Sequence, residues 1–235
     1  MKTRRPTLII AVGFVLAVSI CGVAWRILVP NEPSYDGKRL SVWLDEFRAL
    51  DYGKRADSDL LQVRAVRAIG TNAIPWMLKE FRGGGVWQWR VNQILGKQRL
   101  IKYRFPDVND RLSRATLGFW ALGEIGEPAI PQLLAIVDSY PGFAPGALAG
   151  IGRPAVPALH QCLTNMTMYT NSLGTYAIVP GNTINEIFNA TSFGPFSKSD
   201  IQTFLPTIES WANQTTNQQA QSKAAWFLSH YEQLK

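Results

Sequence analysis

The chain has 235 residues but only two cysteines and two histidines. Cys21 lies in an apolar N-terminal run and Cys162 in the body, so no disulfide framework staples the fold. His160 and His230 have no cysteine or carboxylate at ligand spacing, which leaves no metal site. No cofactor motif is present either, and Gly83-Gly84-Gly85 lacks the Lys-Ser/Thr ending of a phosphate loop. No Ser or Cys stands in a strand–turn–helix elbow. Glu124, Glu127, Glu186 and Glu209 are carboxylates suited to acid–base work, but none belongs to a catalytic pattern. These absences read as a non-enzymatic protein. Charge is also sparse, at 17% of residues, while 46% are hydrophobic, which excludes intrinsic disorder.

Acid is missing altogether from residues 1–30, which hold Lys2, Arg4, Arg5 and Arg26. The net charge of +7 therefore falls to +3 over the rest of the chain. Much of the basicity belongs to a targeting segment rather than to a nucleic-acid surface. Residues 7–25 carry no charge, and their length is close to the roughly 20 residues a helix needs to cross a bilayer. Trp25 and Arg26 mark its far edge. Residues 1–29 are thus expected to be a single transmembrane anchor, with the basic head in the cytoplasm and the body on the periplasmic or extracytoplasmic side. The alternative is a signal peptide cut after Ala24, which would release the body. Residues 30–58 read as a linker, with Pro30, Pro33 and Gly37, followed by a first amphipathic helix. Ser41 is its expected N-cap, ahead of Trp43, Leu44 and Phe47.

What the body has in plenty is repetition. Residues 67–78, 123–134 and 149–160 share the pattern Ile-Gly-x-x-Ala-[Ile/Val]-Pro. It places Gly70 before Pro75, Gly126 before Pro131 and Gly152 before Pro157. A weaker copy of its second half appears at Leu205-Pro206-Thr207-Ile208. Apolar residues precede the glycines at helical spacing: Leu60, Val63, Val66 and Ile69, then Leu112, Ala115, Phe119 and Leu122. Glycine is expected to end each helix in the left-handed conformation, and proline to open the next one. One such hairpin cannot bury its own apolar face, so neighbours must stack.

This pattern resembles HEAT-type repeats of the short variety, well over residues 59–163 and loosely over 173–235. The leading segment, Tyr35 to Leu44, is similar to one that often precedes such repeats in membrane-anchored bacterial proteins. The resemblance implies an all-α fold: an α-α superhelix spanning 59–235, preceded by one transmembrane or signal helix. It is nearly silent on function. Some HEAT-like proteins are enzymes, a DNA glycosylase class and bilin-lyase relatives among them, but their active residues have no counterparts here.

Two stretches break the array, at 83–110 and 164–199, and both read as irregular insertions. Insertions of this kind often carry function. Residues 82–114 hold Arg82, Arg90, Lys97, Arg99, Lys102, Arg104, Arg111 and Arg114 against Asp107 and Asp110, a net of +6. Trp87, Trp89, Tyr103 and Phe105 are interleaved. The candidate binding residues are Arg90, Lys97, Arg99, Lys102, Arg104, Trp87 and Trp89. This mixture suits an acidic protein surface, anionic lipid or nucleic acid; an extracytoplasmic body argues against nucleic acid. The expected function is a membrane-anchored scaffold that binds a protein or peptide partner. The alternative is a solenoid enzyme, or a binder of nucleic acid or another anion, using residues 82–114.

Overall fold

The chain reverses direction where the sequence repeats. The computed structural model describes residues 32–50, 59–83, 107–164, 168–170, 176–213 and 218–231. Regular structure there is mostly helical. The helices are α1 (Leu40–Ala49), α2 (Leu61–Ile69), α3 (Ile74–Arg82), α4 (Val108–Leu122), α5 (Ile130–Leu134), α6 (Ala144–Ile151), α7 (Val156–Thr164), α8 (Val179–Phe193), α9 (Lys198–Asn213) and α10 (Gln218–Tyr231). Two antiparallel hairpins accompany them: β1 (Ser34–Tyr35) with β2 (Lys38–Arg39), and β3 (Met168–Thr170) with β4 (Tyr176–Ile178). No helix among the described residues is long and apolar enough to cross a membrane. The apolar run at 7–25 lies outside them.

The predicted turns are present, with one shift of frame. Gly70, Gly123 and Gly152 close α2, α4 and α6 with nearly the same backbone: φ 64° and ψ −143°, φ 63° and ψ −142°, φ 87° and ψ −144°. This is the extended, positive-φ region that glycine alone enters freely, not the left-handed helical region expected. In the second unit the cap is Gly123, not Gly126. Leu122 takes the place of Ile69 and Ile151 as the buried last helical residue, while Ile125 is 39% exposed. The turn there is longer by one 3₁₀ turn, running Gly123–Ala129. Gly126 is buried inside it, where a Cβ would meet Ile151 Cγ1 at 3.0 Å. Ile125-Gly126 in that extra turn repeats the Ile-Gly pair that ends α2 and α6.

Each turn then buries an alanine completely: Ala73, Ala129 and Ala155. Pro75, Pro131 and Pro157 follow as the second residue of α3, α5 and α7, where a missing N–H is tolerated. The three turns pack on one another in chain order. The helices form two rows. In one, α2, α4, α6, α8 and α10 pack successively; in the other, α5, α7 and α9 do. Phe81 of α3 meets Tyr140, just past α5, edge to face at 5.9 Å. Helix α6, Ala-Pro-Gly-Ala-Leu-Ala-Gly-Ile, is buried along its whole length, and its small residues let α4 come close. At Gly150 a Cβ would lie 2.8 Å from the Trp120 Cα.

Three further expectations need correction. Ser41 does not cap α1; Arg39 holds the N-cap position without a side-chain cap, and the Ser41 N–H donates to the Glu32 carboxylate instead. An anion at a helix N-terminus does the same electrostatic work. The linker before α1 ends in the β1–β2 hairpin, which Trp43 pins by donating from Nε1 to the Tyr35 carbonyl at 3.2 Å. Residues 164–199 are not simply irregular, since α8 occupies Val179–Phe193 and buries Ile184, Ile187 and Ala190. Nor is Pro206 at a turn: it sits inside α9. The start of α9 is a reciprocal cap, with Ser197 and Asp200 each bonding the other's backbone N–H through the side chain.

Replacing Gly70 or Gly123 with Ala is expected to cost about 1–3 kcal/mol through backbone strain alone, because a Cβ at either site meets nothing closer than 3.8 Å. Gly152→Ala should cost more, since its Cβ would also press on Pro195 at 2.9 Å. Thermal denaturation of the three variants checks the order.

Candidate functional site

Residues 84–106, and with them Trp87, Trp89, Arg90, Lys97, Arg99, Lys102 and Arg104, lie outside the described residues. What flanks them is well defined. Asp45 and Arg48 on α1, Glu80 on α3, and Asp110, Arg111 and Arg114 on α4 meet where α4 packs on both helices. Arg114 grips Asp45 with two bonds, from Nε to Oδ1 and from Nη2 to Oδ2, each 3.0 Å. Its Nη1 stands 3.6 Å from the Glu80 carboxylate. Arg48 donates to Asp110 at 2.5 Å and lies 3.8 Å from Asp45. Arg111 is 6% exposed, and its Nε and Nη2 find no hydrogen-bond partner among the described residues. Burial pushes the Glu80 carboxyl above its ordinary range, against the pull of Arg114 and Arg111. Arg111 and Arg114 are therefore internal. They do not belong to the basic surface for which the sequence counted them.

A second feature lies beside this network. A cleft of about 280 Å³ is lined by Phe47 and Arg48 of α1, by Ser113, Thr116, Leu117 and Trp120 of α4, by Gly142 and Phe143, and by Glu186 and Asn189 of α8. The four α4 residues are spaced i, i+3, i+4 and i+7, one stripe of the helix. Two of them are fixed by hydrogen bonds to the start of α6: Thr116 Oγ1 donates to the Phe143 carbonyl at 3.2 Å, and Trp120 Nε1 to the Gly146 carbonyl at 2.8 Å. Gly146 makes room for Glu186, whose Oε2 would lie 3.2 Å from a Cβ there. Burial raises the Glu186 carboxyl to about 7, opposed only by a hydrogen bond from Asn189.

Comparison with protein-family models, curated proteins and solved structures gives no match. Glu186 is the carboxylate the sequence offered without a context; tertiary packing supplies the aromatic walls, and among the described residues no Lys or Arg pairs with it. Phe47, Trp120 and Phe143 were legible as core or turn residues but not as a lining. No group of three or more His, Cys, Asp or Glu able to hold a metal occurs among the described residues. Cys162 is buried, and its thiol is pushed up to about 12, far from nucleophilic. His160 packs on Phe204 at 4.6 Å, and burial lowers its pKa.

A raised carboxyl pKa has a definite consequence for stability. Between about 4.5 and about 7 the native state holds the Glu186 proton more tightly than the unfolded chain does, so stability at this residue falls as pH rises through that window. Glu186→Gln is expected to melt higher than the parent at pH 8, with the difference closing towards pH 4.5. Partial exposure holds the gain to about 1 kcal/mol, or roughly 2–4 °C. Melting curves at the two pH values check the sign.

Proposed function

We propose that this chain is a membrane-anchored, non-enzymatic scaffold whose HEAT-like α-solenoid binds a protein or peptide partner. One observation carries the reading: three glycine turns with the same backbone geometry stack on one another, with helices in two rows in chain order. Such an array builds a long continuous surface from short units, which suits recognition of extended partners. Among the described residues, the cleft is lined by one carboxylate, Glu186, and by no histidine. The apolar run at 7–25 anchors the chain, and the body lies on the extracytoplasmic side. The basic-aromatic residues between Gly83 and Asp107 supply the first contacts to the partner, and the ion network joins α1, α3 and α4.

The test has two parts. A reporter fused at the C-terminus should be active only outside the cytoplasm. Affinity capture from detergent-solubilised membranes should recover a defined protein, which Arg99→Glu, Lys102→Glu and Arg104→Glu together release. A cytoplasmic reporter would overturn the topology. Binding to DNA or RNA that weakens steeply with salt would replace the protein partner with a nucleic acid.

A further inference from the structure

The Glu186 carboxyl is the one feature of the cleft that packing does not explain. It is largely buried, and no Lys or Arg pairs with it among the described residues. Glutamine would keep its shape and a hydrogen bond to Asn189 without the burden of a charge. Arg48, the only other charged group among the described residues lining the cleft, is already engaged by Asp110 and Asp45. The unmatched charge in the cleft is therefore negative. Phe47, Leu117, Trp120 and Phe143 supply apolar and aromatic walls that suit methylene groups and the face of a cation. A volume of about 280 Å³ is at the small end for ligand pockets. It accommodates one long side chain.

We propose that this cleft receives a lysine or arginine side chain from an extended segment of the partner, with Glu186 as its counter-ion and the aromatic walls around its methylenes. The assignment rests on the scaffold reading above and names the chemistry of the partner at this cleft. It also gives binding a pH signature. A bound cation holds Glu186 ionised, so binding strengthens as pH rises through about 7. Other groups on the elements packed around α8 do not compete for that role. Helix α6 has no ionisable side chain; on α7, His160 packs on Phe204 and Cys162 is buried. On α9, Asp200 is bonded to Ser197, and on α10, His230 stacks near Trp226. Lys198 and Glu209 of α9 and Lys223 of α10 do not line the cleft, and burial and Asn189 alone set the Glu186 carboxyl.

The experiment uses the full-length chain in detergent micelles and isothermal titration at pH 8. The probes are acetyl-Gly-Lys-Gly-amide, the same peptide with norleucine in place of lysine, and n-butylammonium. The lysine peptide should bind at least about tenfold more tightly than the norleucine peptide. Glu186→Gln should erase that preference while melting no lower than the parent, and the parent should lose the preference by pH 5.5. Equal binding of the two peptides, no binding of either, or a preference that survives Glu186→Gln overturns the proposal. Equal affinity for n-butylammonium and the lysine peptide overturns the peptide source and makes the cleft a receptor for small amines. If Glu186→Gln still captures the membrane partner at full strength, the scaffold reading stands and this one falls.

Discussion

Trp211→Ala is expected to destabilise the chain by about 3–5 kcal/mol, the range for emptying a buried aromatic site. Trp211 is 3% exposed on α9, and its Nε1 donates to the Leu163 carbonyl at 2.8 Å. Leu163 lies in the last turn of α7, where carbonyls lack helical partners. The indole thus fills space between two hairpins and caps one of them. Trp211→Phe should separate the two roles. It keeps most of the volume and leaves the carbonyl unpaired, at about 1–3 kcal/mol. Because α9 packs mainly on α7 and α10, the loss should be local first. Hydrogen exchange should show α9 and α10 opening in Trp211→Ala under conditions where α2 and α4 remain protected. Uniform loss of protection along the chain would contradict nearest-neighbour stacking.

Arg114→Ala should cost about 3 kcal/mol. Its guanidinium serves Asp45 and Glu80 together, and Glu80 already has an oxygen without a hydrogen bond. Removing Arg114 leaves that buried carboxylate with Arg111 as the strongest remaining positive influence. Arg114→Lys should recover only part of the loss, because an ammonium cannot make the two parallel bonds to Asp45. Denaturant unfolding in detergent ranks the three proteins. The network also links α3, which ends at Arg82 with Gly83 as its C-cap, to the first turn of α4 after Asp107. The Arg111 Nη1 lies so near Gly83 that a Cβ there would approach it to 2.8 Å.

Much of this was legible in the residues themselves, and the reason is local. A helix end that needs positive φ asks for glycine, and a helix start that needs no N–H tolerates proline. Both signals act within a few residues, so the turns at Gly70 and Gly152 could be placed without a structure. The apolar spacing of Val63, Val66 and Ile69, and of Leu112, Ala115, Phe119 and Leu122, is likewise a property of one helix, and all seven side chains are buried. The reading failed where a local signal was duplicated or outweighed. Ile125-Gly126 imitates a helix end that Leu122-Gly123 provides. Pro180, Gly181 and Asn182 look like a loop, yet they form the first turn of α8, whose burial between α6, α7 and α10 outweighs their weak propensity.

The sequence by itself determined the helical hairpin, its turn and the apolar face each helix must hide, because those follow from backbone sterics and a period of 3.6 residues. Only the tertiary structure decided which charges are surface and which are buried. Arg111 and Arg114 look like their basic neighbours in sequence, and Glu186 looks like any helical glutamate. A side chain's charge costs little or much according to what surrounds it, and those surroundings come from helices far apart in the chain: α1, α3 and α4 around the arginines, and α1, α4 and α8 around the cleft.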